Sequence, residues 1–341
     1  MAPDAGMAPD VSLPPDASVP PAGDGCGRDP GANDRTWTLT HQGRERRFRV
    51  HVPAGYDRTR PTDVVLDFHG RGVSPELHLL QNGMLAAADR RGFIAVHPTG
   101  DASDLTWNAG VCCGAAMTSG ADDVGFVAAM VDELAAALCV DRVFATGLSN
   151  GGFFAHRLAC DRADLVEGIA PVAGTLGVLC QPSRPVPVLH FHGTGDQVVP
   201  YEGFFGFVSV AETMAAWARA NGCRDARDAV FTQGDVRCEA WQGCAAPVVL
   251  CTVEGGGHTW PGGRAADAVT ARLAGRAGRG RHRPGRTGPP RRRCPRAPPD
   301  RPPRRCGRRS RRRARCSTPG SGRWRGPGRR TRSHRRRDRG R

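Results

Sequence analysis

Between residues 35 and 263, short apolar runs alternate with stretches of helical spacing, and that alternation leaves few folds open. The runs at 48–52, 64–68, 93–96, 143–146, 186–191 and 248–253 are brief and rich in Val, Ile and Phe. They read as strands, several of them apolar enough to be buried on both faces. Between them, Val127, Met130, Val131, Leu134 and Leu138 follow a helical i, i+3, i+4, i+7, i+11 pattern behind Asp122-Asp123, which can supply an N-cap. Val210, Met214 and Trp217 run in the same way into the stop signal Asn221-Gly222. The expected class is α/β, a mostly parallel sheet with helices on both faces, and the Met130, Met214 and Trp217 of these helical patterns belong to the core.

The flanks cannot take part in such a core. Residues 1–34 are rich in Pro, Ala, Asp and Gly, with little apolar surface to bury, and read as a solvated linker. They lack the basic start and apolar centre of an export signal, so translation is expected to begin further upstream, with the linker trailing such a signal. From Arg264 the composition changes abruptly. Every cationic Lys/Arg position is Arg, and 30 of the 49 fall in 264–341 against three acids, leaving 19 Arg against 30 acids before that point. The formal charge is thus −11 for residues 1–263 and +27 for the remainder, so the overall +16 describes neither. The tail has one Leu, one Val and one Trp, and no Ile, Met, Phe or Tyr, so disorder is expected. A basic nucleic-acid arm is one reading of it. The absence of Lys and of interleaved aromatics argues against that and for a GC-rich gene read in a wrong frame; no nucleic-acid partner is expected.

No stretch approaches the ~18 consecutive apolar residues of a membrane-spanning helix. Ten of the 13 Cys residues precede Arg264 without zinc-type spacing, which points to an oxidising compartment, outside the cell or in a periplasm. Cys112-Cys113 and Cys238 with Cys244 read as disulfide candidates whose partners are open. His190 and His192 alternate on one strand and read as packed strand-end residues; no metal site and no cofactor is expected.

The chemistry is carried by loops that follow the apolar runs. Gly147-Leu148-Ser149-Asn150-Gly151 is a G-x-S-x-G between a strand run and the helical Phe153, Phe154 and Leu158. Its glycines permit the tight turn that holds a serine nucleophile exposed. A base and an orienting acid should follow in the order Ser, Asp, His. Asp196 stands in His192-Gly193-Thr194-Gly195-Asp196 after the run at 186–191, and His258 in Gly255-Gly256-Gly257-His258 after the run at 248–253. His258 would take the serine proton while Asp196 fixes its tautomer. Oxyanion donors are expected from the backbone amides of Asn150 and of Arg71, in the His69-Gly70-Arg71-Gly72 loop after 64–68. Trp260 and Trp107 are candidate flat walls for a substrate.

These motifs together resemble the polyhydroxybutyrate depolymerase family of secreted esterases, which is similar to the feruloyl and acetylxylan esterases of carbohydrate esterase family 1. The resemblance runs from about Gly25 to Gly263. It rests on Val52-Pro53-Ala54-Gly55-Tyr56, His69-Gly70, Trp107-Asn108-Ala109-Gly110 with Cys112-Cys113-Gly114, Asp122-Asp123-Val124-Gly125-Phe126, Gly147 to Gly152, the His192 to Asp196 loop with Val199-Pro200-Tyr201, and Gly256 to Gly263. It implies an α/β-hydrolase over 35–263, acting as a monomer on an ester in a polymer or linked to a polysaccharide, with Ser149, Asp196 and His258 as triad and disulfides in the fold. A peptidase of the same fold is the alternative reaction. The chain departs from the family in three places: the missing export signal, Arg71 where a small residue or Cys is expected, and the Arg-rich tail where a final helix should follow Gly263. Losing that helix would expose apolar surface near His258 and make the chain prone to aggregate. Sequencing beyond codon 263 checks the wrong-frame reading: one of the other two frames should encode an apolar, helix-periodic segment.

Overall fold

The computed structural model describes residues 25–261, with Ala102 and Phe205 excepted, and all of these belong to one compact unit. The linker before residue 25, the expected final helix and the Arg-rich tail lie outside the described residues. Ten strands form one sheet among them: β1 (Asp34–His41), β2 (Arg44–His51), β3 (Thr62–Phe68), β4 (Ile94–Pro98), β5 (Val140–Leu148), β6 (Gly168–Val172), β7 (Val188–Gly193), β8 (Arg227–Gln233), β9 (Val236–Trp241) and β10 (Val248–Val253). Their order across the sheet is β1-β2-β4-β3-β5-β6-β7-β10-β9-β8. The six strands from β4 to β10 run parallel. An antiparallel hairpin closes each edge. The expected α/β class is therefore observed, and each anticipated strand lies in the sheet.

Six helices occur among the described residues: α1 (Pro75–Asn82), α2 (Met84–Arg91), α3 (Gly114–Ser119), α4 (Asp123–Ala137), α5 (Asn150–Asp161) and α6 (Val210–Ala220). The alternation of side chains along each strand divides the core in two. Val64, Leu66 and Phe68 of β3 pack with Phe126 and Met130 of α4, Phe154 of α5 and Met214 and Trp217 of α6. Val65, Phe144, Leu189 and Phe191 pack on the other face with Met84 and Ala88 of α2, and with Trp260. Each of the two anticipated helices is capped by side chains. Asp122 accepts from the Gly125 amide at the start of α4. Ser209 and Glu212 form a reciprocal capping box at the start of α6.

Five disulfides join cysteines among the described residues. Cys26 bonds Cys139, Cys160 bonds Cys180, Cys223 bonds Cys244, Cys238 bonds Cys251, and the adjacent Cys112 and Cys113 bond one another. Cys238 and Cys244, grouped together in the sequence reading, thus take different partners. The Cys26 bond, with hydrogen bonds from the Gly25 amide to Ala135 O (3.0 Å) and from the Gly27 amide to Arg58 O (2.6 Å), ties residues 25–33 to the domain. The folded unit therefore reaches back beyond the boundary expected at residue 35. Because the Cys26–Cys139 bond closes a loop of 113 residues, replacing both cysteines by Ala should lower stability by roughly 3–5 kcal/mol, measured as a lower urea midpoint than the wild type under non-reducing conditions.

Candidate active site

Parallel strands place their C-terminal ends along one edge of a sheet, and the loops leaving β3, β5, β7 and β10 carry the residues singled out above. Ser149 lies between β5 and α5 with φ 58° and ψ −122°, a conformation that costs a residue with a side chain about 1–3 kcal/mol. It is enforced by close packing. A Cβ at Gly147 would come 2.6 Å from Phe68 O, and one at Gly151 would collide with the same carbonyl. The Ser149 amide donates to Val172 O of β6 (2.9 Å), and the Ser149 carbonyl accepts from the Phe153 amide of α5 (2.9 Å). The serine side is half-buried, within reach of a reactant.

The loops of Asp196 and His258 are laced together. The Thr194 amide donates to Val253 O (3.0 Å), the Gly195 amide to Gly256 O (2.9 Å), and the Gly255 amide to Thr194 Oγ1 (2.8 Å). Gly193 must be glycine, since a Cβ there would collide with Gly256 O. Asp196 and His258 consequently meet, Nδ1 of the ring lying 2.7 Å from Oδ2 of the carboxylate. Asp196 Oδ1 accepts from the amides of Val198 and Val199, both at 2.9 Å. Burial raises the Asp196 pKa. The polar edge of His192 and the hydrogen bonds from His258 and the two amides outweigh it and hold the carboxyl well below the usual carboxylate range. His192, whose Nε2 is 3.5 Å from Asp196 Oδ2, had no role in the sequence reading beyond packing.

The loop after β3 sits against the serine: a Cβ at Gly70 would be 3.5 Å from Ser149 Cβ. Its shape is set by His69, which donates from Nδ1 to Gly70 O (2.9 Å) and accepts at Nε2 from the Gly100 amide (2.9 Å). Burial pushes His69 down to about 4, so the ring is neutral at pH 7. The Arg71 side chain is exposed. Asn150 opens α5, where a backbone N–H has no partner within the helix.

The two tryptophans are placed differently from the expectation. Trp107 has no exposed surface; it stacks on Phe154 and meets Phe68 edge-on. It is a brace: its Nε1 donates to His69 O (3.1 Å), while its backbone N–H and C=O are clamped by the Asn150 side chain (2.7 and 2.9 Å). Trp260 is 5 % exposed and packs edge-on against His78 of α1, fixing the loop two residues beyond His258. Neither indole offers a wall to a cleft, because the apolar core gains more from burying so large a ring than a solvent-facing site would. Their position beside functional residues in sequence carried no information about which way they point.

An α/β-hydrolase fold with a serine at the sharp turn after its central strand defines the class. No family model matches the chain. Putative esterase NocK of Nocardia uniformis subsp. tsuyamanensis is 35% identical over 254 residues, 65% of this chain and 72% of that protein. Feruloyl esterase C of Emericella nidulans is 31% identical over 248 residues, 68% of this chain and 82% of that one. An acetyl xylan esterase from Aspergillus awamori shares the fold, with a TM-score of 0.55 at 16% identity over 71% of this chain and 99% of that chain. The chain belongs to the esterase family that contains NocK and the feruloyl esterases.

The neutral His69 has a measurable consequence. In an unfolded chain histidine takes up its proton near pH 6.5, whereas folded His69 does so only near 4. Between those values the unfolded state binds more protons, so stability falls as pH falls. Urea titrations at pH 7 and pH 5 should show that loss, and His69→Gln should lose less over the same interval.

Proposed function

We propose that this esterase hydrolyses carboxylic esters through Ser149, His258 and Asp196, by an acyl-enzyme and without a cofactor. The observation that carries the reading is the 2.7 Å contact of His258 Nδ1 with an ionised, buried Asp196, on loops that share one sheet edge with the positive-φ Ser149. His258, with Nδ1–H committed to Asp196, keeps Nε2 free to take the Ser149 proton as Oγ attacks the ester carbonyl. The same nitrogen returns that proton to the departing alcohol, then deprotonates the water that releases the acid. The developing oxyanion would be met by the amides of Asn150 and Arg71. Asp196 stabilises the transient imidazolium and stays ionised throughout.

Relatives named as feruloyl esterases, and a fold shared with an acetyl xylan esterase, favour feruloyl or acetyl esters linked to polysaccharide. Polyhydroxybutyrate remains a substrate class on the strength of the motif resemblance. The disulfides support an extracellular or periplasmic location. No helix among the described residues is long and apolar enough to cross a membrane.

Hydrolysis of p-nitrophenyl acetate tests the triad. Ser149→Ala should lower kcat by about 10⁶, to the limit of detection, and Asp196→Asn by about 10⁴ through the wrong His258 tautomer. Residual activity in Ser149→Ala near that of the wild type would remove Ser149 as nucleophile. Comparing methyl ferulate, acetylated xylan and hydroxybutyrate oligomers then assigns the substrate class.

A further inference from the structure

Behind Asp196, on the face of the sheet covered by α5 and α6, three fully buried histidines stand in line. His156 lies on α5, and His190 and His192 lie on one side of β7; their rings stack pairwise at 5.3 and 5.4 Å between centroids. Each touches the next through a ring nitrogen. His156 Nε2 lies 3.2 Å from His190 Nδ1, and His190 Nε2 lies 3.2 Å from His192 Nδ1. The ends of the line settle where its protons are. Trp217 of α6 can only donate, and its Nε1 lies 2.9 Å from His156 Nδ1. A carbonyl can only accept, and Val199 O lies 2.8 Å from His192 Nε2. Both ends demand the same polarity: every Nδ1 bare, every Nε2 protonated. An additional proton would set two N–H groups against each other across one of the contacts. Burial agrees: it pushes His156 down to about 3, outweighing the nearby Gly174 carbonyl that would favour the protonated ring, and it pushes His190 well below its ordinary value.

The last N–H of this line goes to Val199 O, and the ring edge that carries it stands beside Asp196. His192 Nε2 is 3.5 Å from Oδ2, the oxygen that also meets His258, and its partner Val199 returns an amide to Oδ1. Tyr201 meets His192 edge-on with its hydroxyl turned away to Thr252 Oγ1. We propose that His192, backed by His190, His156 and Trp217, is a positioning residue for Asp196: a hydrogen-bond chain of fixed direction that ends on the Val199 carbonyl, sets the Val199 amide on Oδ1 and stands the Nε2 edge of His192 beside Oδ2, holding the oxygen that faces His258 in place. The proposal rests on the reading of Asp196 as the acid of the triad.

Two measurements test it. In the wild-type chain labelled with ¹⁵N-histidine, His156, His190 and His192 should all be neutral and protonated on Nε2 at pH 7, assigned by single His→Gln variants. A cationic ring or an Nδ1–H tautomer at any of the three overturns the chain. Second, kcat and KM for p-nitrophenyl acetate are followed from about pH 5 to about pH 9. His192→Leu should lower kcat about tenfold to a hundredfold, as small misplacements of reacting groups do, and change KM by no more than about twofold. Its acid limb should move upward, because a carboxylate that loses the positive ring edge beside Oδ2 and the fixed Val199 amide holds the His258 proton more strongly. His192→Gln, which keeps an N–H in reach, should recover most of the rate. Trp217→Phe, which frees the chain to reverse, should lower kcat several-fold, and carries the kinetic test where His192→Leu does not fold. A wild-type rate and pH profile in the folded variants overturns the proposal. Asp196→Asn keeps the two readings apart: if it leaves kcat intact the acid is misassigned, and if it abolishes kcat while His192→Leu does not, the positioning role alone fails.

Discussion

The carbonyl of Phe68, at the end of β3, occupies the space that a side chain at Gly147 or Gly151 would need. Because both positions are glycine, the turn from β5 into α5 closes directly onto β3. Ser149, between them in sequence, is driven to its positive φ. The strain is opposed by what the turn gains: two backbone hydrogen bonds at 2.9 Å, and complete burial of Phe153 and Phe154 on the helix that follows. The same contact fixes the distance between the serine and the His69-Gly70 loop. Ser149, the proposed nucleophile, and the candidate oxyanion donors are therefore a single packed unit, with Trp107 bonded to both halves.

Around that unit the sheet supplies register. Parallel strands buried on both faces cannot slip without exchanging the two halves of the core, since a shift of one residue turns every side chain to the opposite face. Thr252 and Val253 of β10 stand opposite His192 and Gly193 of β7. The base loop and the acid loop thus leave the sheet level with one another, and three hydrogen bonds between the loops complete the alignment. On the other face Asp67 of β3 accepts from His78 Nε2 (2.9 Å) and Asn82 Nδ2 (2.6 Å) of α1. His78 in turn packs on Trp260. The helix after the oxyanion loop and the loop of His258 are braced against each other there.

How far the sequence could be read follows from which signals are local. The strands at β3, β5, β7 and β10 announce themselves because double burial makes them continuous apolar runs. β6 escaped because Gly168 and Pro171 interrupt Ile169, Ala170 and Val172, and β8 because all seven of its residues are exposed. The candidates Ser149, Asp196 and His258 could be picked out since each follows a readable strand, and strand ends in such a sheet converge. The histidine chain was not. His190 and His192 show only an alternation that any buried strand could have; their helical partner His156 lies 34 residues from His190 in sequence, and His156 meets Trp217 across 61 residues. Trp107 and Trp260 mark the same limit from the other side, because adjacency to a functional residue says nothing about which face of the backbone a ring leaves.

A buried carboxylate that must orient a base faces two opposed requirements. It has to remain ionised, which burial resists, and its charge has to stay available to the imidazolium that forms beside it. A cation behind Asp196 would meet the first and defeat the second, since an arginine there would already neutralise the charge. Backbone amides meet both, and two of them take Oδ1. The histidine chain is the side-chain equivalent. Each ring is neutral, so it brings a dipole and no charge, and its direction is dictated from the far end by an indole that can only donate. Stacked neutral rings also satisfy one another's nitrogens, so three polar side chains cross the core between Trp217 and Asp196. In the proposed reaction the positive charge is left one place to appear, on His258, half-buried at the sheet edge and 2.7 Å from the carboxylate.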